Sequence, residues 1–177
     1  MLRILSLIDR LSGGLAYLMM AVFVALVGDM LYEVVSRRLF GAPTLWAYDI
    51  AYMSNGLIFV LAAGYTLLQN EHIRIDFLST RLPPRLQDAA NAAVYLLLLA
   101  PMLWYALGGA IGEAWEAFAT GELDPSSTWR PLIWPFYGAL ALGLAVFALQ
   151  ALAQLVRHLG AALGRWPSPL GRRTGAL

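Results

Sequence analysis

The chain has 177 residues, 60% of them hydrophobic and 13% charged, with a formal net charge of +1 and no cysteine. Soluble domains sit nearer half apolar and a quarter charged, so most of this surface must itself be apolar and its solvent is lipid. Without cysteine, disulfides, thiolate metal sites and cysteine nucleophiles are excluded.

Arg3 ahead of a leucine-rich stretch resembles a secretory leader, but Asp9 and Arg10 interrupt it. The apolar run that follows is too long for a leader, and no small-residue cleavage pattern succeeds it. That segment is expected to stay in the mature protein. Four apolar blocks are each long enough to cross a hydrocarbon core, which needs roughly 20 helical residues. The first runs from about Gly13 to Ser36 and the second from about Leu45 to Gln69. The third runs from about Gln87 to Gly112 and the fourth from about Leu132 to Val156. Blocks of this length predict helices, because a strand crosses in about 10 residues and needs a closed barrel. The expected fold is therefore all-α, an integral membrane protein with four transmembrane helices.

The connectors carry matching punctuation. Gly41-Ala42-Pro43-Thr44 breaks the chain, and Thr44 is placed to cap the second helix. Pro83-Pro84 ends one element and starts the next, and Asp124-Pro125-Ser126-Ser127-Thr128 forms a turn ahead of Pro131 and Pro135. Pro101 predicts a mild kink in the third helix, and Gly108 with Gly112 offers it a close-approach face. Residues 1–160 read as a single membrane domain and 161–177 as a flexible tail.

Arginines set the topology. Arg3 and Arg10, then Arg74, Arg81 and Arg85, then Arg157, Arg165, Arg172 and Arg173 all fall on one side of an even-numbered bundle. The other side has only Arg37, Arg38 and Arg130, with Glu113, Glu116, Glu122 and Asp124 in its last loop. Both termini are expected in the cytoplasm and the acidic loop outside. Trp46, Trp115, Trp129 and Trp134 lie near block ends, where indole rings favour the headgroup region.

Few residues invite chemistry. Asp29, Glu33 and Arg37 share one face of the first helix. They read either as a polar pathway or docking face, or as headgroup-level acids paired with Arg37 or Arg38. Asp49 opens the second helix, where a carboxylate suits the positive end of the helix dipole. His72 and His158 sit at helix ends, so axial haem ligation inside the bundle is excluded. No serine–histidine–acid set, phosphate-binding loop or metal-ligand spacing occurs. No enzymatic activity and no cofactor are expected.

Arg37-Arg38-Leu39-Phe40-Gly41-Ala42-Pro43-Thr44-Leu45-Trp46, with Asp49 three residues on, resembles the stretch after helix 1 in a known family. That family is the small membrane subunit of tripartite ATP-independent periplasmic (TRAP) transporters, the DctQ type. Its acid at this place is usually glutamate, where this chain has Asp49. Gly64 and the segment His72-Ile73-Arg74-Ile75-Asp76 are similar to a second family motif, and Ser127 to Pro135 to a third.

The resemblance implies a subunit of an ion-gradient-driven importer of organic acids or similar solutes in a bacterial inner membrane. Its partners would be a large permease subunit (DctM type), a periplasmic substrate-binding protein (DctP type) and membrane lipids, with no nucleic acid. Arg37, Arg38, Trp46, Asp49, His72, Arg74 and Asp76 become candidate subunit-interface residues, and Asp29 and Glu33 a candidate polar face. Glu113, Glu116, Glu122 and Asp124 become a candidate docking loop for the binding protein. The competing reading is a stand-alone homodimeric exporter with Glu33 or Asp29 as a proton-coupled carboxylate.

Overall fold

The computed structural model describes residues 2–69 and 83–166. Its elements are α1 (Leu2–Leu39), α2 (Ala47–Leu68), α3 (Pro84–Val94), a π-helical turn (Tyr95–Leu99), α4 (Ala100–Thr120) and α5 (Trp134–Ala162). α3, the π turn and α4 run on as one span, so four helical stretches are long and apolar enough to cross a membrane. The fold is all-helical, as the composition requires.

α2 (Ala47–Leu68) lies just inside its sequence-predicted bounds, whereas the other spans run past theirs at one end or both, each for a local reason. α1 begins near the N-terminus rather than at Gly13, because Asp9 faces Arg157 of α5 instead of breaking the helix. α4 runs to Thr120 and stops where Gly121 adopts a left-handed φ of 64° and its amide bonds back to the Ala117 carbonyl. α5 continues past Val156 to Ala162, and Trp166 then folds back over Gly160, where a Cβ would lie 2.4 Å from the indole. Residues 161–166 therefore belong to the packed structure; residues 167–177 lie outside the described residues.

Pro101 produces a π turn in place of a simple kink. Proline has no N–H, and in an uninterrupted α-helix its ring would press on the carbonyl of residue 97. Widening the preceding turn removes the clash, and the Ala100 amide reaches five residues back to Tyr95.

α5 is the axle. It packs against α1, α2, α3, the π turn and α4, while α1 and α2 pair on one side of it. Close approach of α2 and α5 occurs at Gly64, where an added Cβ would meet the Phe147 backbone at 3.7 Å. It recurs at Gly143, where a Cβ would lie 2.8 Å from Val60. Gly108 and Gly112 face open space instead, so the close-approach face expected there is not used within the described chain. The apolar core is small, built on Leu67, Leu103, Phe147 and Ala151. Large apolar side chains point outward along α1 and α4, with Val24 at 70% exposure and Trp104 at 79%. That is the distribution lipid solvent selects.

Candidate functional site

Polar side chains gather at the two ends of the bundle. At the end formed by the α1–α2 and α4–α5 connectors, Glu33 acts as a clamp. Its Oε1 accepts from Arg37 (Nε at 2.9 Å, and Nη2), and its Oε2 accepts from the amide of Thr44 at 2.9 Å and from the Thr44 hydroxyl. Thr44 therefore does not cap α2; Trp46 holds that position without a side-chain cap. Tyr32 stacks on Trp46 with ring centroids 5.7 Å apart, fixing the same connector against α1.

A second clamp joins α2 to the α4–α5 connector. The Ser127 hydroxyl donates to Asp49, and its oxygen accepts the amides of Trp129 at 3.0 Å and Arg130 at 3.2 Å. Asp49 and Ser127 are both buried. These bonds hold Arg130 at a left-handed φ of 51°, unusual for a residue with a Cβ. The connector closes on itself through an antiparallel bridge between Leu123 and Leu132. Ser126 donates to Asp124 through its hydroxyl at 2.6 Å and its amide at 2.8 Å. These bonds hold the Asp124 carboxyl below its ordinary value of 3.8, against the opposing effect of burial.

At the other end, α5 presents one polar face. Gln150, Gln154, Arg157 and His158 follow helical spacing and reach three different helices. Gln150 accepts from Ser12 at 2.9 Å and donates to Asp9 at 3.2 Å, and Arg157 donates to Asp9 at 2.6 Å. Gln154 donates to the Leu67 carbonyl at 3.0 Å, supplying a side-chain donor to a carbonyl in the C-terminal turn of α2. His158 Nδ1 lies 2.8 Å from Asp88 of α3, and Tyr95 stacks on the imidazole at 5.6 Å. Among the described residues, the largest fully buried side chains are Leu67, which is apolar, and the polar His158, Gln150, Gln154, Asp88 and Ser12. Lipid removes the hydrophobic drive between helices, so hydrogen bonds carry the register here.

The structure thus unites two of the sequence motifs, Asp49 from the first and Ser127 from the third. Arg37 pairs with Glu33, whereas Arg38 is exposed with no ion pair among the described residues. Both carboxylate oxygens of Asp29 are buried with no hydrogen-bond partner among the described residues, so Asp29 does not join the Glu33–Arg37 pair. Glu113 and Glu116 are exposed on the last turns of α4 and not in a loop. Glu122 is exposed in the connector, and Asp124 is turned inward at 6% exposure. His72, Arg74 and Asp76 lie outside the described residues. From sequence, Asp9 reads only as an interruption of the leader-like stretch, and Asp88, Gln150 and Gln154 take no role. The four-residue spacing of polar groups on an otherwise apolar helix was the signal that could have found the face on α5.

Comparison with known proteins gives this arrangement a setting. A 76-residue stretch is 28% identical to the sialic acid TRAP transporter permease protein SiaT of Haemophilus influenzae (strain 86-028NP). That match covers 43% of this chain and 12% of the longer relative. Residues 26–161 match the family described as tripartite ATP-independent periplasmic transporters, DctQ component, a stretch holding both clamps and the α5 face. The chain belongs to that DctQ family, and is a small TRAP membrane subunit that crosses the bacterial inner membrane several times.

Proposed function

We propose that this chain is the rigid scaffold of a three-part, ion-gradient-driven uptake system for organic anions. In this reading a large permease subunit carries the substrate path, and a periplasmic binding protein delivers the solute. One observation carries the reading. Buried Asp49, Ser127, Gln154, Asp88 and His158 are engaged at the two ends, in clamps joining separate elements, whereas Asp29 stands outside them. Secondary transporters instead place their substrate and ion sites near the bilayer midplane, between discontinuous helices. The exporter reading asks for a freely titrating carboxylate; Glu33 is held by Arg37 and Thr44, which leaves that reading only Asp29, whose oxygens have no hydrogen-bond partner among the described residues.

Tagging the chain and extracting it gently from its native membrane tests this directly. A large, many-helix subunit is expected to co-purify in about equal amount. Recovery of a lone homodimer that binds a ligand would overturn the scaffold reading.

Docking is tested separately. Glu113, Glu116 and Glu122 are exposed at the connector end and supply its negative charge. Changing all three to lysine is expected to slow association with the binding protein about ten-fold at low salt, because such groups act mainly on encounter. Unchanged association would remove docking from this face and leave the scaffold role standing.

A further inference from the structure

The last turns of α1 carry two guanidinium groups for one carboxylate that is already fully engaged. Glu33 has both oxygens occupied by Arg37 and Thr44, and Arg38 is left exposed without an ion pair among the described residues. These residues border a cavity of about 310 Å³. Its polar lining, the rim, is Glu33, Arg37, Arg38, Thr44 and Tyr48, and its apolar lining, the floor, is Val34 and Met30, one and two turns back from Arg38 along α1. Beyond the floor, the exposed side chains of Leu31 and Val27 continue the apolar surface toward the middle of the span.

A cation at the C-terminal turn of a helix is favoured by the helix dipole alone. The dipole accounts for the charge but not for a cavity that is cationic at its rim and apolar along its floor. That combination matches an amphiphile. A guanidinium at the edge of a span lies at headgroup depth, where its fork of N–H donors fits phosphate oxygens. The volume accepts a phosphate and glycerol but not a whole lipid, so the acyl chains would lie along α1 outside it.

We propose that this cavity binds the headgroup of an anionic phospholipid, with Arg38 on the phosphate, the glycerol over Met30 and Val34, and an acyl chain outside the cavity along Leu31 and Val27. The site belongs to this chain itself and holds in either leaflet, so it stands apart from the scaffold reading.

The test uses the full chain, with any subunit that co-purifies, in nanodiscs of equimolar phosphatidylglycerol and phosphatidylcholine, read by native mass spectrometry. The wild type is expected to retain phosphatidylglycerol in preference to phosphatidylcholine. Arg38→Gln should weaken that retention roughly five-fold, the effect of one basic residue at a membrane surface. Arg38→Lys should recover part of it. Millimolar inorganic phosphate should leave the lipid bound; displacement by phosphate would make this a site for the free ion and overturn the lipid assignment. Equal retention of the two lipids by the wild type, or unchanged retention in a folded Arg38→Gln, would also overturn it. A cross-link from Arg38 to a carboxylate of a co-purifying subunit in native membranes would do the same. Should Arg38→Gln fail to fold, the wild-type preference between the two lipids decides.

Discussion

Replacing His158 by leucine is expected to lower stability by about 2 kcal/mol. The imidazole is 0% exposed and its Asp88 partner 2%, so the substitution takes a donor from a carboxylate deep in the packed structure. Breaking such a pair in a water-soluble protein costs about 3–5 kcal/mol. In a membrane the separated helices also find partners for their polar groups, and single interhelical hydrogen bonds measure below about 2 kcal/mol. The loss of stacking on Tyr95 adds to the cost. Unfolding in lipid or mild detergent measures it, with Asp88→Leu and the double variant completing a cycle. The double variant should be little worse than the poorer single one. Fully additive losses would mean that the two side chains are not coupled.

The second large effect is expected at Ser127, and it is local. Alanine there removes the donor to Asp49 and the acceptor for the amides of Trp129 and Arg130. Leaving buried groups unpaired costs on the order of 2 kcal/mol. Hydrogen exchange at those two amides should accelerate roughly thirty-fold, the equilibrium factor that such a cost implies. Because the turn also holds Arg130 at a positive φ, loss of the clamp releases a strained residue and the turn should relax. Asp49→Ala should loosen the same amides, and combining the two should add little. Exchange that stays slow in Ser127→Ala would mean that the bridge between Leu123 and Leu132 suffices to order the connector.

The four spans were legible because lipid imposes a length and a composition that few other environments demand. The resemblance was legible because Trp46, Asp49 and Gly64 recur in order. Helix ends were not. Asp9 and Arg10 look like punctuation until Arg157 is brought across from the far end of the chain, 148 positions away. Glu113 and Glu116 look like loop residues, yet a helix in contact with water keeps acids on its surface until a residue such as Gly121 turns it off. Thr44 had two uses open to it, a cap on α2 or a bond to Glu33, and its own position could not decide between them. The polar face of α5 was readable as spacing, but its partners are scattered over α1, α2 and α3. Pairing across helices is tertiary information.

The central helix is also the last in chain order among the described residues, which has a consequence for synthesis. As the earlier spans leave the ribosome and enter the bilayer, Asp9, Ser12, Asp88 and the Leu67 carbonyl all lack the α5 groups that satisfy them in the finished protein. An unsatisfied polar group in hydrocarbon is costly, so the nascent chain must be held by lipid headgroups, water or the insertion machinery until α5 arrives. Maturation then happens in one late step. A chain stalled before Gln150 would present the cell with three spans clamped at the connector end and none of the bonds to α5 that set their register at the other.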